Sequence, residues 1–209
     1  GPATAQRIVD RFGVDTLEIL EREPERLSLI KGITAKKAQE IAESFRQHMG
    51  LRRLMAFLAQ YQLPPVLAMQ LRQQYGDAAL RMVQDNPYLL SNDVCGVEFA
   101  VTDEIAMSMG FPLDSKERLQ AAVTFELSHN ENNGHVFLPR NKLVAATCQL
   151  LECGDELVEQ ALDDLIERHA VVQEQVANVE ACYLYRLWEA EFSACVRMNH
   201  LLAMEADRS

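Results

Sequence analysis

A chain of 209 residues with 48% apolar and 24% charged residues can bury a core, and its formal charge of −11 excludes a protein that simply coats nucleic acid. No apolar run approaches the roughly 18 residues needed to cross a bilayer, so no membrane partner is expected. Five scattered cysteines favour reduced thiols in a cytoplasmic protein over a disulfide framework.

The negative charge is unevenly distributed along the chain. Residues 1–60 carry 10 lysines and arginines against 8 acidic residues. Residues 61–110 carry 2 against 6, and residues 111–209 carry 8 against 17. A phosphate backbone would therefore be met by the first sixty residues.

Two helices around a tight turn are predicted for LSLIKGITAKKAQEIAESF, residues 27–45. The apolar residues after Gly32 recur at helical spacing, and Thr34 stands at the N-cap position, where its oxygen can accept an amide hydrogen bond. Such a turn leaves backbone N–H groups pointing outward at the positive end of a helix, an arrangement that attracts phosphate. Three lysines flank it: Lys31, Lys36 and Lys37. The alternative is a helix–turn–helix used only for packing.

The opening residues repeat the second of these helices. Residues 1–13 (GPATAQRIVDRFG) align with residues 34–45 at a shift of 33, which places Ala5 on Ala38 and gives three further matches. The chain thus begins inside a hairpin motif, as expected of a fragment of a longer protein.

A longer repeat relates residues 2–45 to residues 65–109. The two segments align at a shift of 63, which becomes 64 after one inserted residue. Alanines, leucines, prolines and glycines then coincide, among them Gly32 with Gly96. The sequence therefore predicts two copies of a unit of roughly fifty residues, each a pair of hairpins.

After Pro112 the predicted order is helix, strand, helix, helix and two-stranded wing, as in a winged-helix domain. Asp114 or Ser115 caps the first helix, residues 132–134 end it, and residues 135–139 form a short strand.

Two amphipathic helices, RNKLVAATCQLLECG and DELVEQALDDLIERHA, precede a wing centred on residues 176–180. The second helix is predicted to bury Leu157, Val158, Ala161, Leu162 and Leu165. Its carboxylates are Asp155, Glu156, Glu159, Asp163, Asp164 and Glu167. Because phosphates would repel them, this winged unit is interpreted as packing on protein.

Residues 188–209 are predicted to form a further helix that packs on another part of the protein or on a neighbouring domain. Its apolar side would consist of Phe192, Cys195, Val196, Leu201 and Leu202.

The two repeats resemble the tandem helix-hairpin-helix module of DNA-repair and recombination proteins. Its hairpin reads hydrophobic-x-Gly-hydrophobic-Gly, which IKGIT matches with Thr34 in place of the second glycine, and Gly1 stands as the second glycine of the opening hairpin. In the second repeat VCGVE keeps Gly96 but has Glu98 in the place of Thr34, and QLPPV has no hairpin glycine. The second repeat is therefore interpreted as mainly structural.

The order of units over the whole chain resembles the N-terminal region of the long RecD-like DNA helicases, ATP-driven motors that move 5′ to 3′ on single-stranded DNA. The resemblance implies a mostly α-helical fold, in which tandem helix-hairpin-helix units precede a small winged-helix-like α+β unit and a helix leading toward the motor. The implied units are residues 1–49, 50–111, 112–187 and 188–209. ATP and Mg²⁺ would bind in motor domains outside this chain, because it contains no G-x-x-x-x-G-K-[ST] loop.

Catalytic and metal sites are not predicted for this chain itself. Cys148 and Cys153 are placed within one helix on different faces, with no second Cys or His pair near them. His129 and His135 flank a turn sequence and are interpreted as solvated, and Ser128 has no triad partner that the sequence identifies. No enzymatic activity is therefore expected of this region alone.

The site predicted from the residues and from the resemblance is a DNA-backbone contact in the first hairpin pair. Backbone amides would bond phosphate oxygens, lysines and an arginine would add charge, and duplex or forked DNA would be held without base readout. The predicted contact residues are Gly1, Thr4, Arg7, Lys31, Gly32, Ile33, Thr34, Lys36 and Lys37. A rival hypothesis is a structural or protein-interaction module whose hairpins only pack. A third, the equivalent region of a junction-binding or nuclease-subunit protein, fits the winged unit and the tail less well.

Overall fold

The computed structural model describes residues 1–208, and of residues 187–196 and 199 it describes the backbone alone. The described chain is mainly helical with one small antiparallel sheet, which confirms the predicted fold class. It divides into two compact units, Gly1–Asp85 and Asn86–Ser209. Within the described residues, no helix combines the length and the apolar character needed to cross a membrane.

The first unit is a set of helices joined by short 3-10 turns. Its helices are α1 (Pro2–Phe12), α2 (Thr16–Arg22), α3 (Ala35–Gln60), α4 (Val66–Tyr75) and α5 (Ala79–Asp85), and its 3-10 helices are Gly13–Asp15, Pro24–Leu29 and Gly76–Ala78. One core cluster of this unit consists of Ile8, Ile19, Leu20, Leu27, Ile30, Ile33 and Ala38. The helical apolar face predicted after Gly32 is confirmed, since Ala38 and Ala42 are fully buried.

Helix α3 runs through the boundary that the sequence predicted between the first two units. It extends without interruption over Ala35–Gln60, so a division at residues 49 and 50 falls in its middle. Leu54 and Leu58 in its second half are buried, and α3 packs on α4 and α5 as well as on α2. One helix therefore serves both repeats.

The second unit contains the predicted order of helix, strand, helix, helix and wing. Its helices are α6 (Phe99–Ser108), α7 (Lys116–Asn132), α8 (Arg140–Leu151), α9 (Asp155–Glu167) and α10 (Tyr185–Arg208), its 3-10 helix is Pro87–Ser91, and its strands are β1 (Leu138–Pro139), β2 (Val171–Val176) and β3 (Val179–Leu184). The N-cap of α7 is Ser115, whose Oγ accepts the Arg118 amide at 3.2 Å.

The sheet has the strand order β1-β3-β2 with antiparallel pairing throughout. In its register Val172 lies opposite Tyr183, and Val176 lies opposite Val179. The wing turns at Ala177 and Asn178, whose φ angles of 49° and 67° are the left-handed pair expected of a two-residue type I′ hairpin.

The two repeats contain the same elements in the same order. Each has a helix, a 3-10 helix that opens on a glycine, a second helix, a 3-10 helix that opens on a proline, a turn and a third helix. The opening glycines, Gly13 and Gly76, have φ angles of 54° and 63°, and the turn glycines, Gly32 and Gly96, have φ angles of 90° and 65°. The predicted placement of both turn glycines in turns, rather than within helices, is confirmed.

Packing divides the chain at a different place from the repeat. The second repeat is split between Asp85 and Asn86, because α6 and the 3-10 helix Pro87–Ser91 pack on α7. The boundaries predicted at 49/50 and 111/112 describe where the sequence repeats. They stay predictions, because the division at 85/86 describes how the chain packs.

Three details differ from the predictions. Leu157 is 43% exposed, because it lies at the edge of the buried stripe of α9 formed by Val158, Ala161, Leu162 and Leu165. Helix α8 ends at Leu151, since Glu152 adopts a left-handed conformation (φ 53°), so Cys153 lies beyond the helix rather than inside it. The last helix begins at Tyr185 rather than at residue 188.

The predicted apolar side of the last helix lies partly outside the described side chains. Those of Phe192, Cys195 and Val196 are not described. Leu201 and Leu202 are each 58% exposed.

A half-buried polar cluster joins α6 to α7 in the second unit. The Arg118 guanidinium donates to both carboxylate oxygens of Asp103, at 3.0 and 3.1 Å, and Tyr88 Oη donates to Asp103 at 2.6 Å. Burial and the neighbouring carboxylate raise the pKa of Tyr88, so its hydroxyl stays a donor. This cluster was missed in the sequence, because its three members are fifteen residues apart and no local pattern links them.

Candidate nucleic-acid interface

The first turn, residues 30–34, ends in a capped helix as the sequence predicts. Thr34 has extended backbone angles (φ −76°, ψ 165°), and its Oγ1 accepts the Lys37 amide at 3.1 Å. Its carbonyl accepts the Ala38 amide at 2.8 Å and so begins α3. Gly32, at φ 90°, takes a conformation that side-chain-bearing residues rarely adopt, which lets the chain reverse within this short turn.

Several backbone N–H groups of the first turn remain available for a ligand. Among the described residues, none accepts a hydrogen bond from the amides of Gly32, Thr34, Ala35 and Lys36. Ile33 is different, since its amide donates to the Ile30 carbonyl at 3.1 Å and its side chain is buried. The amide role predicted for Ile33 is therefore replaced by an anchoring role, and the ligand donors are its neighbours.

The lysines around the first turn present uncompensated charge. Lys31, Lys36 and Lys37 are all exposed. None of them forms an ion pair with a carboxylate among the described residues. Their charges therefore add directly to the positive end of α3.

The remaining predicted contact residues fall into two places. Gly1 and Thr4 line an open groove of about 420 Å³, together with Lys37 of α3. Arg7 instead reaches the first turn, where its guanidinium donates to the Lys31 carbonyl. Its Nη1 lies 3.8 Å from the position that a Cβ of Gly32 would occupy.

One basic residue on this surface was missed by sequence reasoning. Arg11, one helical turn beyond Arg7 on α1, lines the same depression as Arg7 and Lys31. Its i+4 spacing from Arg7 was the available signal. Asp10 lines the same depression and accepts a hydrogen bond from Gln6 at 2.8 Å, so it offsets part of this charge.

The second turn, residues 92–98, bonds its glycine amide internally, whereas among the described residues the amides of Glu98, Phe99 and Ala100 have no acceptor, like those of Thr34, Ala35 and Lys36. Asn92 Oδ1 accepts the amides of Val94 and Cys95 at 3.1 and 2.7 Å, and its carbonyl accepts the Gly96 amide at 2.8 Å. The Val97 amide donates to the Leu90 carbonyl at 3.0 Å. Glu98 is the N-cap of α6 but its side chain accepts no capping hydrogen bond.

The hairpin without glycine, residues 61–65, reverses through another residue. Gln62 takes the left-handed conformation, with φ 58°, and the Leu63 amide donates to the Leu58 carbonyl at 3.0 Å. This turn is closed by its own backbone and offers no lysine.

The acidic helix α9 is held by its own unit. Arg140 donates to Glu159 at 3.0 Å, to Asp163 at 2.8 Å and to Gln173 on β2 at 2.8 Å. Part of its carboxylate charge is thus used within the fold, and the rest would repel phosphate.

No cluster of three or more metal-binding side chains occurs among the described residues. The Cys148 thiol donates to Asp155 at 3.3 Å. Burial and this carboxylate raise the pKa of Cys148 to about 12, which disfavours the thiolate that metal binding requires.

Comparison with known proteins finds two family models that match the helical repeats. Residues 1–47 match a family described as a SAM-like helix-hairpin-helix tandem. Residues 47–137 match the helix-hairpin-helix domain of ATP-dependent RecD2 DNA helicases. The ATP-dependent RecD2 DNA helicase of Deinococcus radiodurans is 30% identical over 143 residues, which cover 68% of this chain and 20% of that protein. The resemblance inferred from the residues is confirmed, and the chain spans about a fifth of that relative.

Proposed function

We propose, on the premise that this chain carries the helix-hairpin-helix region of the RecD-like DNA helicases, that it is the DNA-binding accessory region of such an enzyme. The observation that supports this most is the first turn. It combines a glycine at φ 90°, an N-capping Thr34 and unpartnered backbone amides with three exposed lysines that have no carboxylate partner among the described residues.

The turn binds phosphate through two physical effects. The amides of Gly32 and Thr34 donate to phosphate oxygens at the positive end of α3. Lys36 and Lys37 neutralise charge and release counterions, which makes the binding sensitive to salt. Both effects act on the backbone of duplex or forked DNA and carry no base information.

The opening hairpin adds to this contact from α1. Gly1 and Thr4 lie beside Lys37 in the groove, while Arg7 and Arg11 lie beside Lys31. The two hairpins of the first repeat thereby present one basic surface along a single strand of DNA.

We extend this proposal to the whole protein of which this chain is a part. The motor domains, joined in cis, bind ATP and Mg²⁺ and move 5′ to 3′ during recombination or repair in the cytoplasm. This chain holds DNA near that motor and does not itself hydrolyse ATP, since the phosphate-binding loop belongs to the motor.

A structural or protein-interaction role is the second candidate function, and it is favoured by the second repeat. There the amides of residues 94–97 are bonded internally to Asn92 and Leu90, and Glu98 replaces the capping threonine. In this alternative the first repeat also serves only as a packing element, and the exposed lysines have no ligand.

Charge reversal at the first turn tests the proposal. The variant Lys36→Glu/Lys37→Glu should lose binding to a labelled forked duplex at low salt, while the wild type binds with Kd on the order of 10⁻⁴–10⁻⁶ M, as for sequence-independent contacts. The control Lys116→Glu/Lys142→Glu makes the same change in net charge at exposed lysines of the second unit and should bind as the wild type does. Equal affinities of all three proteins would favour the structural alternative.

A further inference from the structure

Four arginines from three helices line one cleft in the first unit. The cleft has a volume of about 390 Å³ and is walled by α3, the end of α4 and α5. We call it the arginine cleft and define it by Arg46, Arg53, Arg72 and Arg81. It is separate from the first turn and from the groove beside Gly1 and Lys37.

The carboxylates of the cleft leave most of the guanidinium donors unused. Two acids line it: Glu43 pairs with Arg46 at 2.9 Å, and Asp77 pairs with Arg72 at 3.2 Å. From outside the lining, Glu21 pairs with Arg53 at 3.1 Å and Asp85 approaches Arg81 at 3.9 Å. Exposed pairs of this kind are weak, and each guanidinium has five donors of which these contacts engage one or two. A phosphate can therefore compete for them.

Arg72 is the fixed member of the cluster. Its side chain is 23% exposed, and it donates to the Gln47 carbonyl on α3 as well as to Asp77. The other three arginines are about half exposed or more, so they are free to close on a ligand from the rim. One held guanidinium with three adjustable ones suits the planar, bidentate recognition of phosphate.

Gly50 leaves open space in the wall of the cleft. It lines the cleft from the interior of α3, where glycine lowers helix stability by roughly 1 kcal/mol relative to alanine. Packing does not explain it, since a Cβ at this position would meet no atom within 4 Å. The open space at Gly50 lies in the same wall as Arg46 and Arg53.

The position of the cleft along α3 favours a nucleic-acid backbone as its ligand. Lys36 of the first turn and Gly50 are fourteen residues apart, so they lie near one face of the same helix. Two carboxylates, Glu40 and Glu43, line the surface beside Lys36, and Glu43 is already paired with Arg46. Lys36 and Gly50 are roughly 21 Å apart along the axis at 1.5 Å per residue, a distance that a few nucleotides of one strand can span. An acidic peptide would satisfy the arginines too, but it would have no use for this continuity with the first turn.

We infer that the arginine cleft is a second DNA-backbone site, which binds phosphodiester groups of the strand that leaves the first turn along α3. The inference rests on the proposed function for the identity of the ligand. The cleft itself takes phosphate in either form, as free inorganic phosphate or as part of DNA.

The test compares two neutralising variants with the same reduction in charge. In Arg53→Gln/Arg81→Gln, affinity for a forked duplex should fall about tenfold, and the slope of log K against log salt should become shallower by about 0.9 for each phosphate that the protein no longer neutralises. The control Arg22→Gln/Arg52→Gln removes two exposed arginines of the same unit that do not line the cleft, and it should bind nearly as the wild type does. A thermal melt of each variant verifies that the fold is retained.

A second pair of variants uses the glycine. Gly50→Ala should raise the melting temperature and leave binding within about twofold, because alanine favours the helix and its methyl group meets open space. Gly50→Glu should also fold, but its carboxylate beside the arginines should weaken duplex binding at least as much as the neutralising pair does.

The outcomes separate this inference from the proposed function. Wild-type affinity in Arg53→Gln/Arg81→Gln, together with abolished binding in Lys36→Glu/Lys37→Glu, overturns the arginine cleft and leaves the first turn as the DNA site. The reverse result supports the cleft and overturns the first turn. Titration with inorganic phosphate and with a polyglutamate peptide completes the test. DNA is overturned as the ligand if phosphate or polyglutamate binds more tightly than duplex at matched charge and if Arg53→Gln/Arg81→Gln abolishes that binding.

Discussion

The first and second turns of this protein share a backbone plan and differ in what they leave exposed. Both follow a 3-10 helix that opens on proline, both contain a glycine with positive φ, and both lead into a helix. In the first turn the amides next to Ile33 have no protein acceptor among the described residues. In the second turn Asn92 and Leu90 accept four amides between them. Among the described residues the amides at the start of the following helix have no acceptor in either turn, so the turns differ in the glycine amide and in the charges beside it: Lys36 and Lys37 in the first, Glu98 in the second. A repeated fold therefore does not imply a repeated binding site.

The helices that follow the two turns, α3 and α6, also differ in whether a polar side chain is bonded within the fold or exposed. Helix α6 is fixed by Asp103, which accepts from Arg118 and Tyr88. The residue of α3 that corresponds to Asp103 in the repeat is Gln39, which is exposed. The second repeat thus holds Asp103 in a half-buried cluster, while the first repeat keeps the matching Gln39 on the surface.

The largest expected effect is on stability, and it comes from removing the arginine that holds Asp103 of α6. Arg118→Ala should lower the free energy of unfolding of the second unit by about 3 kcal/mol, because it leaves the half-buried Asp103 carboxylate without its partner. Urea denaturation followed by circular dichroism measures this change. Arg168→Ala, at an exposed arginine of the same unit, should cost under about 0.5 kcal/mol. A cost that small at Arg118 as well would mean that the cluster does not anchor α6.

A smaller effect is expected at the turn glycines. Gly32→Ala should cost about 1–3 kcal/mol, since φ 90° is strained for a residue with a side chain. Gly96→Ala, at φ 65°, should cost about 1–2 kcal/mol. Chemical denaturation gives both values, and binding of a forked duplex distinguishes the sites. Only Gly32→Ala should weaken it, and equal weakening by both would contradict the difference between the turns.

The smallest effect concerns the helix caps. Thr34→Ala should destabilise the first unit by about 1 kcal/mol, because the Lys37 amide loses its acceptor. Glu98→Thr should stabilise the second unit by a few tenths to about 1 kcal/mol, since Glu98 has the extended backbone of an N-cap but makes no capping bond. Thermal melts of the two variants should therefore shift in opposite directions, and a decrease in both would show that Glu98 is held by another interaction.

The parts of the structure that depend on local pattern were predictable from the sequence. The Thr34 cap follows from residue type and position, the buried Ala38 from helical spacing, and the turn glycines Gly32 and Gly96 from their alignment in the repeat. The wing hairpin likewise followed from a break between two apolar runs.

Features that depend on tertiary packing were not predictable. The continuity of α3 through Gly50 was missed, because a glycine near a repeat boundary usually indicates a break. The contact of Arg7 with the Lys31 carbonyl and the internal bond of the Ile33 amide both depend on how α1 meets the turn. The arginine cleft brings together α3, α4 and α5, whose arginines are up to thirty-five residues apart in the sequence.

The most direct test of the comparison observes both turns in one sample. In a two-dimensional NMR spectrum of the ¹⁵N-labelled protein, a forked duplex added at low salt should shift the amide signals of Gly32, Thr34 and Lys36. The signals of Gly96 and Glu98 should move little, because the Gly96 amide is bonded to the Asn92 carbonyl and the exposed Glu98 carboxylate repels phosphate. Equal shifts at both turns, or none at the first turn under conditions where the duplex is bound, would contradict the account.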